Sequence, residues 1–495
     1  MLTEKAILDF ENAAGRPTTA IDLLLNGLTM ERAAEFEKAR DLYREITTHL
    51  AQTPEAGLAR EHINRMDMLI DEKRLYERIH RNALEILTRV GMNLAESPGI
   101  MELLLERDAV DMESTEACLV PLRPSAVEKY LESLPRSLPN DPGKNAFGTG
   151  GTPPFLKCVG DERLRAADRR EFEEIVRTAS EWSHVVDILS VPVKTDRTMS
   201  DYECALCMEK GFSGLKMIST HQMADRETAF LAGKDHWLDG TSLLTCLAPM
   251  ESMVDPFVRS IRTGNNLLIL DFTIAGVTGP NSPEALLTHI HAQELFMMIL
   301  AQMIRPGTVC VHGGIPSVTA PGGDISYSML RQPLINAAMA RLNLWVTGLP
   351  SAQSGGSTSI ADELEKAVEE SSLSRDVLRR YGVHIVRHAF GALGNLTYFS
   401  LEKFIADCSA EDRSRQAFRD KSLEDVGVVP LHLPEDDAAM EAVREIAEKG
   451  NPMMTDHTLR HVDAFAQWEE RVLREDLRQE NVREIAVKES FVAVA

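Results

Sequence analysis

Four glycine-rich segments concentrate the side chains that can do chemistry: 271–283, 312–316 with 321–327, 348–357 and 387–399. Each lies at or just past a short apolar run. Together they hold imidazole, amide, hydroxyl and aromatic groups, the usual lining of a small-molecule pocket. His388 stands just past one run and His312 at the end of another, which makes both candidates for substrate contact. Other patterns lead elsewhere. Cys204-Ala-Leu-Cys207 falls inside a helical stretch with no second cysteine pair, so it reads as packing. His289 and His291 are two apart and point to different helix faces. Phe147-Gly-Thr-Gly-Gly-Thr-Pro-Pro154 lacks the Walker lysine and the dinucleotide spacing, and reads as a backbone turn. There is no His-Glu-x-x-His and no Gly-x-Ser-x-Gly, and no metal site is expected.

Some scaffold must bring these segments together. From Trp182 onward, short apolar runs at 185–193, 214–219, 242–247, 267–274, 308–312, 344–347 and 383–386 alternate with helix-length segments. Those segments lie at 199–210, 224–232, 256–262, 283–304, 328–341, 360–380 and 400–411. Continuous apolar strands alternating with helices imply a parallel sheet covered by helices. Seven such units over about 230 residues suit a (β/α)8 TIM-type barrel, whose reacting groups sit at the C-terminal strand ends. The eighth strand is expected at 147–156 or 426–433. The domain reading is a helical N-terminal extension (1–75), a small helical and mixed unit packing on the barrel (76–145), the barrel (146–433) and a helical C-terminal segment (434–495).

The chain has 495 residues, 44% hydrophobic and 26% charged, ordinary values for a globular protein that can bury a large core. A net charge of −23 argues against a nucleic-acid partner and favours cationic or neutral small ligands. No apolar stretch reaches the ~18 residues of a membrane span. The nearest, 286–304, is interrupted by His289, His291, Gln293, Glu294 and Gln302. Met1-Leu-Thr-Glu-Lys lacks a signal-peptide pattern, and seven scattered cysteines make no disulfide framework. A cytoplasmic location is expected.

Several motifs carry a likeness. Thr273-Ile-Ala-Gly276, the block from His291-Ala-Gln-Glu through Arg305-Pro-Gly to His312-Gly-Gly314, Gly348-Leu-Pro350 and His388-Ala-Phe-Gly-Ala-Leu-Gly-Asn-Leu with Ser400-Leu-Glu-Lys-Phe404 resemble the trimethylamine methyltransferase superfamily. Weaker similarity covers Ile79-His-Arg-Asn-Ala-Leu-Glu-Ile-Leu, Phe147-Gly-Thr-Gly-Gly-Thr-Pro-Pro and His457-Thr-Leu-Arg-His461. The resemblance implies a barrel methyltransferase. It would move a methyl group from a methylated amine to Co(I) of a corrinoid (cobalamin) carried by a partner protein, holding none tightly itself. All residues are standard, so the chain is similar to members without pyrrolysine, which use quaternary amines such as glycine betaine.

A quaternary ammonium leaves as a neutral amine, so the task is alignment and handling of the cation. Phe272, Tyr327, Phe390 and Tyr398 are candidate aromatic faces for it. His388 matches the histidine that opens the family loop and is the catalytic candidate; His312 is a substrate-binding candidate. Gln353 and Asn395 are candidates to orient a carboxylate or hydroxyl. Where many relatives have Trp-Leu-Glu, this chain has Ala392-Leu-Gly394. Alternatives are a barrel demethylase for another N-, O- or S-methyl donor, and a relative that binds ligand without catalysis. Self-association is expected, as for many large barrels.

Overall fold

Apolar residues at helical spacing produce three N-terminal helices, α1 (Thr18–Arg32), α2 (Phe36–His49) and α3 (Glu55–Glu85). They form their own core around Phe36, Tyr43, Ile46, Met66 and Leu69. The computed structural model describes residues 18–111, 119–157, 165–196, 198–242, 244–319, 325, 327, 330–419, 427–449, 453, 455–461 and 463–475. The expected boundary at 75/76 falls inside α3, which continues into the next unit and stops at Gly91. That unit holds α4 (Pro98–Glu106), α5 (Pro124–Glu132) and an antiparallel pair, Met92–Asn93 with Leu119–Val120. The sequence itself predicts a short strand at 118–122 in this unit; Cys118 lies outside the described residues.

Eight short strands then build the centre: β1 (Ala146–Phe147), β2 (Ile188–Ser190), β3 (Leu215–Ile218), β4 (Trp237–Thr241), β5 (Leu267–Ile274), β6 (Cys310–Ser317), β7 (Ala352–Ser354) and β8 (Ile385–Arg387). Strands β2 to β6 pair in chain order as a curled five-stranded sheet, and β7–β8–β1 form a second sheet; every pairing is parallel. Single parallel bridges, Gly148 to Ile188 and His312 to Ser351, connect the edges of the two. A helix follows each strand. In order they are α6 (Arg169–Glu181), α7 (Asp201–Gly211), α8 (Asp225–Thr228), α9 (Glu251–Thr263), α10 (Pro283–Ile304), α11 (Arg331–Leu342), α12 (Leu364–Tyr381) and α13 (Leu401–Arg419). The architecture is therefore α/β, with parallel strands covered by helices. The C-terminal segment adds α14 (Ala439–Lys449), α15 (Asp456–Arg460) and α16 (Ala464–Glu475). Among the described residues no helix is long and apolar enough to cross a membrane.

Some expected elements move. The run 344–347 is not a strand: it continues α11 as a π-turn, Asn343–Thr347. Its apolarity serves the N-terminal helices, because Trp345 packs edge-on against Phe36 and Tyr76 at 4.9 and 5.6 Å. The strand of that unit is Ala352–Ser354, inside the segment that reads as a loop. Likewise Trp237–Thr241, not 242–247, is the third member of the alternation. Of the two places for the last strand, Ala146–Phe147 pairs with β8, whereas the described residues 427–433 contain no strand; Val426 lies outside the described residues. The helix expected at 328–341 begins at Arg331, and 328–329 lie outside them too.

A buried ion pair ties the ends of the chain to this centre. Arg341 donates to Glu72 Oε1 (2.8 Å) and to the carbonyls of Tyr381 and Val429 (3.0 and 2.6 Å). Glu72 also accepts from the Tyr76 hydroxyl (2.9 Å) and the Leu431 N–H (2.7 Å). Breaking one side of such a pair strands a desolvated charge. Arg341→Met is expected to cost about 3–5 kcal/mol, read as a lower urea midpoint. The double variant Glu72→Gln/Arg341→Met should lose less than the sum of the single losses; strict additivity would show that the pair is not coupled.

Candidate functional site

Side chains alternate along a strand, and the interior cluster of Ala146, Ile188, Leu215, Met217, Leu238, Leu268, Val311, Ala352 and Ile385 marks the inward face. Continuing that parity to the C-terminal strand ends brings Phe272, Ser317, Ser354 and Arg387 to one mouth. Phe272 is 46% exposed there. Tyr327 reaches the same place, its hydroxyl bonded to Ser317 and its N–H donating to Asn395 Oδ1 (3.3 Å).

His388 would follow Val386 onto the opposite face if alternation held. Its φ of 65° puts it in the left-handed region, so the chain turns and the imidazole joins the mouth. There Nδ1 lies 2.8 Å from Ser354 Oγ, and the ring meets Tyr327 edge-on at 6.5 Å. Glycine clears the space: a Cβ at Gly150 would stand 2.8 Å from His388 Cδ2. Burial and the neighbouring Arg387 charge hold the imidazole well below its usual pKa, hence neutral.

Arg387 is the outlying group. It is buried, and its Nε and Nη2 meet no hydrogen-bond partner among the described residues. Burial pulls the guanidinium down to about 10, with Glu294 and Tyr327 opposing, so it remains a cation at neutral pH. A desolvated guanidinium whose N–H groups are not all paired is costly and favours an incoming anion.

A second polar layer lies behind the sheet, between β5, β6 and α10. Asp271 accepts from Gln293 Nε2 and Thr273 Oγ1, each at 2.5 Å. Gln293 Oε1 in turn accepts from the Leu247 N–H (2.8 Å). Glu294 Oε2 accepts from the Gly313 N–H (3.3 Å), and its Oε1 has no partner. Three imidazoles form a file, His291 and His312 buried and His80 half-buried: His80 Nδ1 is 2.9 Å from His291 Nε2, and His291 Nδ1 is 3.1 Å from His312 Nε2. Burial pushes Asp271 up to about 7 and Glu294 well above the carboxylate range; it drives His80 and His312 down to about 4 and about 3.

The structure thus brings His388, Tyr327, Asn395 and Phe272 to one mouth. His312 sits instead in the layer behind the sheet, because it alternates with Val311. Gln353 is buried with both amide atoms unpartnered, on the face opposite Ala352 and Ser354. Phe390 packs against Phe404 (6.2 Å) beneath the Arg375 guanidinium (5.5 Å), in the core rather than the mouth. Tyr398 already carries a cation from this chain, with Lys157 Nζ 4.9 Å from its ring centroid. At Gly394 φ is 52°, and a Cβ would stand 2.9 Å from the Tyr398 ring, so a bulkier residue would be strained there.

Arg387, Ser354, Ser317 and Asp271 escaped the sequence reading. The available signal was a charge placed directly after, or inside, an apolar run. A cleft of about 510 Å3 opens at the other end of the strands, beside Asp187, Lys216 and His236. Catalytic groups in this architecture sit at the C-terminal ends, so we place the site at the mouth.

The family model described as trimethylamine methyltransferase (MTTB) matches residues 37–473. The glycine betaine methyltransferase of Desulfitobacterium hafniense (strain Y51) is 25% identical over 357 residues, 67% of this chain and 73% of that protein. Among solved structures, the monomethylamine methyltransferase of Methanosarcina barkeri aligns with a TM-score of 0.43 at 10% identity, covering 80% of this chain and 87% of that one. Dihydropteroate synthase from Stenotrophomonas maltophilia aligns at 0.31 and 11%, covering 51% and 89%. The fold described above rests on its own strand pairings.

The raised Asp271 carboxyl has a measurable consequence. With a folded pKa of about 7 against an ordinary 3.8, the native chain keeps a proton that the unfolded chain releases between those values. Its contribution to stability is therefore full at low pH and is lost as pH rises through 7. Asp271→Asn should remove a slope of up to about 1.4 kcal/mol per pH unit between pH 5 and 7, measured by denaturant unfolding across that range. Parallel profiles for the two proteins would place the proton elsewhere.

Proposed function

The chain belongs to the trimethylamine methyltransferase family and is a methyltransferase, and from that premise we propose that it takes a methyl group from a quaternary, carboxylate-bearing amine of the glycine betaine type and delivers it to Co(I) of a corrinoid on a partner protein. In this reading the two sheets form one closed (β/α)8 barrel, supported by the bridges at Gly148–Ile188 and His312–Ser351.

The observation that carries the proposal is the buried guanidinium of Arg387 at the mouth, whose Nε and Nη2 have no hydrogen-bond partner among the described residues. It supplies a charge-assisted anchor for a carboxylate. Phe272 and Tyr327 offer ring faces to the ammonium end, worth about 0.5–2 kcal/mol each. His388, neutral and fixed by Ser354, adds no positive charge to repel that cation. The C–N bond breaks with its electron pair passing to nitrogen, and the leaving amine is neutral, so none of these residues has to supply a proton. Their work is to hold the donor carbon in line with the acceptor and to keep water out.

The test mixes the protein with reduced corrinoid and a panel of methylated amines, following methyl–cobalt formation by absorbance. Carboxylate-bearing quaternary amines should react and tetramethylammonium should react poorly. Methylation by no amine in the panel, or only by thioether or methoxy donors, would overturn the proposal.

Two variants then separate the roles. Arg387→Met should lower kcat/KM for the carboxylate-bearing donor by about 30-fold or more, the 2–5 kcal/mol of a truncated buried charge contact, while leaving the uncharged-tail donor little changed. His388→Asn, which tolerates left-handed backbone, should slow transfer at least tenfold with an unchanged melting midpoint. An unaltered rate would remove His388 from the site.

A further inference from the structure

Away from the mouth, three ligand-type side chains converge where the C-terminal segment returns to the start of α10. His457 lies on α15 and His461 caps it, four residues apart and so on one face. Their rings stack at 4.0 Å with a 21° interplanar angle. Both present Nε2 to Asp436: His457 Nε2 is 2.7 Å from Oδ2, and His461 Nε2 is 4.0 Å from Oδ1. One ligand atom from each of the three lies within 4.8 Å of the others, the only such group of histidine, cysteine or acidic side chains among the described residues.

We propose that Asp436, His457 and His461 form a zinc site that fastens the C-terminal segment to the N-terminus of α10. Two imidazoles and one carboxylate are a ligand set that suits this ion, with water as the fourth ligand. The donor atoms are already aimed. His461 Nδ1 is 2.9 Å from the His457 carbonyl, which fixes the proton on Nδ1 and turns the Nε2 lone pair toward the cluster. Asp436 is held by the Ser282 hydroxyl and the Ala438 N–H, and Ser282 is the N-cap residue of α10.

Spacing also fits. Metal–ligand bonds of roughly 2.0–2.2 Å make tetrahedral edges of about 3.4 Å. The two nitrogen–oxygen separations, 2.7 Å to Oδ2 for His457 and 4.0 Å to Oδ1 for His461, fall on either side of that value, one to each carboxylate oxygen. Sub-ångström side-chain shifts would equalise them. The His461 side chain is 30% exposed, which leaves one side open for water.

The experiment uses the full chain, dialysed against a chelator and then titrated with Zn2+ or Co2+ alone. We expect uptake of one ion per chain, tetrahedral ligand-field bands with Co2+, and a higher melting midpoint on adding Zn2+. His461→Ala removes a partly exposed ligand and should fold. It should bind Zn2+ at least tenfold more weakly and lose the rise in melting midpoint. A chain that takes up no stoichiometric metal, or a His461→Ala variant that binds as well as the parent, would overturn the proposal. Neither readout depends on methyl transfer, so this inference and the methyltransferase substrate reading stand or fall separately.

Discussion

The structure turns on a helix with no wet face. Every residue of α10 from Pro283 to Met303 is buried, including His289, His291, Gln293, Glu294 and Gln302. Polar groups removed from water must find partners inside the protein or change their protonation. Both outcomes occur here. Gln293 pairs with Asp271 and the Leu247 N–H, Gln302 donates to the Thr308 carbonyl and accepts from the Gly307 N–H, and the imidazoles lose their charge. These contacts set the height of β5 and β6 relative to α10, and so set where Phe272 and Ser317 emerge at the mouth.

The same desolvation divides labour between two neighbouring polar regions. Behind the sheet, burial favours neutral forms and closes the groups on one another. At the mouth, it leaves a guanidinium that pairs with no carboxylate among the described residues, beside an imidazole that stays neutral. A charge kept unsatisfied in this way makes binding of an opposite charge selective, because no competing internal partner has to be displaced. The left-handed backbone at His388 is part of that arrangement. It places two consecutive residues, Arg387 and His388, on the same side of the sheet, which a regular strand does not do.

The chain ends stabilise this centre from outside. Glu72 on α3 gathers Arg341, Tyr76 and Leu431, while Glu284 in the first turn of α10 receives Arg78 from α3 through two hydrogen bonds of 2.8 and 2.6 Å. Helix α3 therefore contacts both the central helices and the C-terminal segment. The N-terminal helical extension acts as a brace.

Local information was enough for much of this. Runs of β-branched residues between amphipathic segments marked the parallel α/β class, and α10 occupies the expected residues 283–304, because continuous apolarity and helical caps act within a few residues. Of the residues singled out in the glycine-rich segments, His388, Tyr327 and Asn395 lie together at the mouth. Strand identity at 352–354 was not legible: Ala-Gln-Ser has no strand propensity of its own, and pairing with β8 makes it a strand. For the same reason the apolar 344–347 misled, its hydrophobicity being directed at helices more than 250 positions away in the chain. What only the tertiary structure decided was which polar groups lose water and which of them find a partner. Residue type sets whether a side chain carries charge, but burial and pairing depend on the whole packed assembly. Arg387, Asp271 and the Asp436–His457–His461 group therefore acquire their chemistry only once the chain has folded.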